Sequence, residues 1–348
     1  MKIDKLEYKR LSVYDISVTV PDSFVSAENK TGKGHGEAKF YMGSKTHMRE
    51  FYADDPSSSK FKVRCVILKK DLLEYMSNIK HEYYHPSIQY RGINGKSMAS
   101  LWKKRYSTVN ALPEALFFDI KDQAQIKGPR GYVKSCKRKE EGYELLRDIS
   151  LPFVSYVSVM KLENKQNGER LFYWKLFADY SQMAEMQYAA KNYGKRKNLV
   201  TRRKGQTKYR QGLLDLYSCC PFTKIDDEKL LIASHIKPWA ICNVKEKNDV
   251  NNGFILSPLY DKLFDKGFIT FDNDGSLEIS DWLSEENVNR IDFSKYEPAR
   301  LQLTPERIKY LEFQAQVGLS VAGRCRCLTK DSNTSIEKEG YIPYSLQA

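Results

Sequence analysis

At 348 residues the chain is long enough for two domains with a sizeable core, and 41% hydrophobic and 29% charged residues exclude a disordered or fibrous protein. A net charge of +13 points to a polyanionic partner, while no apolar run is long enough to cross a bilayer. The N-terminal MKIDKLEYKR lacks the apolar centre of a signal peptide, so the expected location is cytoplasmic and no membrane partner is expected.

Residues 1 to about 185 read as a mixed α/β region. Short β-branched and aromatic runs such as DISVTVP, KFKVRCVIL and PFVSYVSVMKL predict strands. KKDLLEYMSNIKHEYY places Leu72, Leu73, Met76 and Ile79 at helical spacing. NKTGKGHGEAKFY and KDQAQIKGPRGYVKSCKRK are rich in Gly and Lys and predict loops; GKGHG lacks the Lys-Ser/Thr ending of a phosphate-cradling loop. HEYYH, His81 to His85, is a literal H-E-x-x-H of zinc proteases, but Pro86 disfavours helical geometry at His85 and no third ligand motif follows. It reads instead as an aromatic-rich helix end, plain or DNA-facing.

The next stretch, Lys191 to Arg210, carries nine basic residues and no acidic one, among them Lys195, Arg196, Lys197, Arg202, Arg203 and Lys204. Such a run between two apolar regions reads as a linker that tracks a phosphate backbone, or as a merely solvated connector or helix face. The charge is unevenly divided: the first 210 residues hold 41 basic and 23 acidic side chains, whereas Gln211 to Arg324 holds 13 and 18. Any polyanion-binding surface therefore belongs to the front of the chain.

After Gln211 the pattern changes. QGLLDLYSCCPFT predicts a helix running into a turn, KLLIASH a strand, and NGFIL a second strand that enters SPLYDKLFDKG. Ser257 suits an N-cap, Pro258 the first helical position and Gly267 the C-terminal stop. FITFDNDGSLEIS predicts a hairpin turning at Asp274-Gly275; DNDG lacks the closing Glu of a calcium loop. TPERIKYLEFQAQ predicts a closing helix capped by Thr304, and Trp239 after Pro238 is expected to pack in the core rather than stack on a base. The seven cysteines are odd in number, irregularly spaced and without a C-x-x-C pair, so buried or incidental thiols are expected rather than disulfides or a zinc site.

One constellation stands out. His235 ends a strand, Asn252 follows, and Asp261 and Asp265 sit four apart on one face of a short helix. Like charges at that spacing cost a bare helix about 0.2–0.5 kcal/mol, a sign that a shared Mg²⁺ or Mn²⁺ would reverse. The plainer reading is two solvent-facing aspartates beside Lys262 and Lys266.

SHIKPW…NNGFILSPLYDKLFDKGFITF resembles the HNH endonucleases, whose core is the ββα-metal fold, over roughly Lys208 to Gln314. It is most similar to the branch with A-[AS]-H-I-x-P-W, N-G-[LF]-x-L-S and x-x-x-x-F-D-x-G. The resemblance implies that His235 is the general base and that Asn252 ties the loop and orients that base. It implies that Asp261 stands where the third signature residue binds metal, and Asp265 where colicin-type members have a further ligand. The residue before the base, often an Asp or His ligand, is here Ser234, a weak neutral donor, which shifts the metal onto the two aspartates and water.

The expected class is α+β: a mixed α/β DNA-recognition domain (1–190), a basic linker (191–210), an HNH nuclease domain (211–325) and a C-terminal tail (326–348). The expected function is a restriction-type endonuclease on double-stranded DNA, dependent on Mg²⁺ or Mn²⁺. It would leave 5′-phosphate and 3′-hydroxyl ends, as the resemblance implies, and work as a homodimer because one module cuts one strand. The alternatives are an anti-phage effector whose front domain senses another signal, a DNA-binding protein with a dead nuclease fold, and, more remotely, a protease.

Overall fold

A computed structural model describes residues 1–14, 18–32, 37–53, 55, 57, 60–90, 98–192, 199–291, 293, 301, 303–316 and 326–327. Lys195, Arg196 and Lys197, and all of the tail but Arg326 and Cys327, lie outside these.

The N-terminal region is built on one mixed sheet. Its strands run in the spatial order Lys2–Ile3, Leu6–Val13, Ser155–Asn164, Arg170–Ala178, Lys62–Leu68, Ala115–Asp122, Arg130–Ser135 and Phe40–Ser44, with Val18–Thr19 paired to Ser155–Asn164. All neighbours are antiparallel except Lys62–Leu68 against Arg170–Ala178. The run KDQAQIKGPRGYVKSCKRK, expected to be a loop, supplies the strand Arg130–Ser135; its Gly and Lys content hid the alternation of Gly131, Val133 and Ser135 toward the interior.

Side chains alternate across the central strands, so each strand serves two interfaces. Cys65, Ile67, Val157, Val159, Phe172, Trp174 and Leu176 face one core, shared with helices Lys45–Ala53, Lys69–Asn78, Ala99–Asn110 and Glu141–Ile149. Val66, Leu68, Met160, Leu162, Leu171 and Tyr173 face the other side, where Trp282 of the C-terminal region joins them. This double burial explains why these strands read as continuous apolar runs.

In HEYYH the helix Lys80–Tyr84 ends before His85, the residue that Pro86 constrains. Glu82 turns inward and accepts bonds from Ser87 N, Ser87 Oγ and Tyr90 Oη at 2.7, 2.8 and 3.0 Å. A carboxylate tied into its own following loop is not a protease base.

The C-terminal region holds its own core. A two-stranded ribbon, Ile232–His235 against Gly253–Leu256, leads into helix Pro258–Asp265, and a hairpin, Ile269–Phe271 with Leu277–Ile279, follows. Phe222 stacks on Tyr260 with centroids 4.4 Å apart, and Phe254, Phe264 and Phe271 fill the space beneath. Helix Leu199–Leu216 starts a dozen residues before the expected Gln211 and covers Arg202, Arg203 and Lys204, so the second half of the basic run is helical.

Apolar packing and polar bonds both join the regions. Trp282 lies against Tyr173 and Phe177, with centroids 5.2 and 5.6 Å away. Arg10 Nη2 donates to the Leu283 carbonyl at 2.8 Å, and Lys266 pairs with the mostly buried Asp179 at 2.8 Å.

Candidate active site

The ribbon register places His235 opposite Gly253 and Ser234 opposite Phe254. Strand geometry then sends Ser234 and His235 to opposite faces, one toward helix Pro258–Asp265 and the other toward helix Leu199–Leu216. That second helix meets the imidazole with Tyr209, whose ring stacks on His235 at a centroid distance of 4.1 Å and an interplanar angle of 18°.

Asn252 is fully buried and joined to the loop between the strands. Its Oδ1 accepts from Lys237 N at 2.7 Å, and its Nδ2 donates to the Glu246 carbonyl at 3.0 Å and to Cys242 Sγ at 3.3 Å. The loop so held brings the Lys247 carbonyl to 3.2 Å from His235 Nε2. A carbonyl only accepts, so Nε2 carries the proton and Nδ1 keeps its lone pair. Burial pushes the imidazole below its ordinary value, opposed by this bond to Lys247 and reinforced by the Lys247 charge.

Helix Pro258–Asp265 follows at once from the second strand. Ser257 stands at the N-cap position, but its hydroxyl makes no cap bond and is buried without a partner. Pro258 occupies the first turn as expected. At the other end Gly267 has φ 68°, Gly267 N reaches the Phe264 carbonyl at 3.0 Å and Phe268 N reaches Leu263 at 2.8 Å, a Schellman stop.

Asp261 is half-buried on this helix and receives the Ser234 hydroxyl. Burial pushes its carboxyl above the ordinary value; the Ser234 bond works against this and the Asp265 charge with it. Asp265, one turn on, accepts a bond from Ser181 Oγ of helix Tyr180–Asn192 and has Lys262 Nζ 4.0 Å away.

Ser234, His235, Asp261 and Asp265 together line one open cleft of about 350 Å³, walled by Ser181 and Glu185 from helix Tyr180–Asn192 and by Trp239. Trp239, expected in the core, is instead half-buried at the cleft with Lys247 Nζ 3.9 Å above its ring. Among the described residues no three His, Cys, Asp or Glu side chains stand close enough to enclose a metal ion. Two carboxylates and one hydroxyl in an open cleft nevertheless fit a hard divalent cation that keeps water and substrate oxygens in its other positions. Burial holds the Asp261 carboxyl above its ordinary value despite the Ser234 bond, so a cation there would favour its charged form.

Sequence patterning carried no sign of Tyr209, of the Lys247 carbonyl, or of the cleft wall from helix Tyr180–Asn192. None belongs to a spaced motif; each reaches the site through tertiary contact.

A strand pair and a helix thus bring together an imidazole, a loop-holding amide and two carboxylates. Residues 220–272 match the family model described as HNH endonuclease, so the C-terminal region carries an HNH domain. No curated protein matches the chain. Among the described residues no helix is long and apolar enough to cross a membrane.

Proposed function

We propose that the chain is a metal-dependent DNA endonuclease of restriction type, in which the basic front of the chain binds and selects the site and the HNH domain cuts. The observation that carries this reading is the neutral, oriented His235: Nε2–H spent on a backbone carbonyl and Nδ1 free, at the edge of a cleft that also holds Asp261.

In the reaction, Nδ1 takes a proton from a water molecule as its oxygen bonds to phosphorus, and the bond from phosphorus to the 3′ oxygen breaks; that oxygen takes a proton from solvent, leaving 5′-phosphate and 3′-hydroxyl ends. Asn252 holds the loop that supplies the Lys247 carbonyl, and so holds the imidazole in its tautomer. Asp261, with Asp265 and the Ser234 hydroxyl, would hold Mg²⁺ or Mn²⁺, which neutralises charge on the scissile phosphate and on the departing oxygen. Two copies acting as a homodimer would cut both strands.

His235→Ala should abolish cleavage of plasmid DNA while leaving retention in a gel-shift assay intact. Cutting near the wild-type rate would remove His235 from its role. Digestion of methylated and unmethylated plasmid with Mg²⁺ or Mn²⁺, followed by sequencing of the ends, tests the restriction reading directly, since discrete fragments support it and a smear refutes it.

A further inference from the structure

The His235 ring is held by the hydrogen bond from Nε2 to the Lys247 carbonyl. A ring held by one bond still rocks about that bond, and a base must keep its lone pair aimed to within a few tenths of an ångström. The second restraint on the imidazole is Tyr209, nearly parallel to it at 4.1 Å and itself 3% exposed.

Tyr209 is in turn tied to one strand of the ribbon and to the residue that leads into the other. Its hydroxyl donates to the Asn252 carbonyl at 2.9 Å and approaches the Ser234 carbonyl at 3.4 Å. These carbonyls belong to the orienting amide and to the residue before the base. Gly253, paired with His235 across the ribbon, leaves room for this contact, because a Cβ there would lie 1.8 Å from Tyr209 Oη.

We infer that Tyr209 is a positioning residue for the reaction: its ring is the wall that fixes the plane of the His235 imidazole, and its hydroxyl locks that wall to the ribbon. The inference rests on the reading of His235 as the base. It also gives the helix Leu199–Leu216 a part in the chemistry, since the same helix carries Arg202, Arg203 and Lys204 two turns or less before Tyr209.

The test uses the full chain with Tyr209→Phe, which keeps the ring, and with Tyr209→Leu and Tyr209→Met, which remove it. Far-UV circular dichroism selects the ring-less variant that stays folded. With Mg²⁺ and plasmid DNA, the Phe variant, which keeps the wall but loses its lock, should fall about threefold in kcat, while the ring-less variant should lose about 10- to 100-fold in kcat with KM unchanged. Imidazole ¹⁵N spectra should show one Nε2–H tautomer for His235 in the wild type and the Phe variant, and a mixture in the ring-less one, where the unbacked imidazole swings off the Lys247 carbonyl part of the time. A ring-less variant with wild-type kcat, or with its loss confined to KM, overturns the inference. So does an unchanged single tautomer. If the wild type itself cuts no DNA, the nuclease reading fails, and the ¹⁵N comparison alone then decides whether the ring orders the imidazole.

Discussion

Asn252 shows how one buried amide fixes a loop: all its side-chain bonds go to the segment between the two ribbon strands. Its donor and acceptor both end on the 237–246 loop, so its loss leaves the half-buried Lys237 N–H and Glu246 carbonyl unmet at about 1 kcal/mol each. Glu82 shows the opposite economy, a buried carboxyl with no reaction to perform. Burial pushes it up to about 7, against the bonds from Ser87 and Tyr90, and Oε2 has no hydrogen-bond partner. The folded state therefore keeps a proton that the unfolded chain releases near 4.5. The stability this group contributes is fully present below pH 4.5 and is lost as pH rises toward 7. Glu82→Gln should flatten that decline by about 1–3 kcal/mol, read as the difference between urea midpoints at pH 4.5 and 7.5. An unchanged pH slope would show that Glu82 does not set it.

At the scale of elements, the ribbon and the helix after it depend on two glycines for different reasons. Gly267 supplies a left-handed residue that ends the helix just after Asp265. Gly253 has extended backbone and is needed for space alone, since a side chain there would meet Tyr209 Oη and, at 2.6 Å, the Ser234 carbonyl. Gly253→Ala should cost about 1–3 kcal/mol by overpacking and reduce cleavage more than it reduces folding, because the displaced groups are those that hold His235. Thermal melts beside initial rates check this; an alanine variant with normal stability and rate would mean that the ring has room to retreat. The hairpin turn is fixed by a third glycine, Gly275 at φ 83°, with the Leu301 backbone against its open side.

At the scale of the whole molecule, charge and geometry divide the work in the same way. The HNH region is net acidic, whereas the front of the chain holds 41 basic and 23 acidic residues up to Arg210, so on the proposed function the hold on DNA belongs to the front. The regions meet beside the cleft, where Ser181 engages Asp265 and Asp179 engages Lys266. Affinity should fall steeply with salt. Replacing Arg202, Arg203 and Lys204 together by Ala should make the slope of log K against log salt shallower by about 3, one unit for each phosphate no longer neutralised. An unchanged slope would place the phosphate-binding cations elsewhere on the basic region.

Much of this was legible in the residues themselves. Continuous β-branched and aromatic runs marked the central strands, and Pro258, Gly267 and Asp274-Gly275 marked where the helix and hairpin of the HNH region begin, stop and turn. His235, Asn252, Asp261 and Asp265 could be read together because the motif is local, with about 30 residues holding the whole set. Local spacing could not show what lies on the far side of each group. Only the tertiary structure decided that Tyr209 backs the imidazole, that the Lys247 carbonyl chooses its tautomer, and that Ser181, 84 residues before Asp265, shares that carboxylate. Side-chain period and cap chemistry act along the chain and leave a trace in it, whereas stacking and carbonyl contacts across elements arise only once the chain has folded.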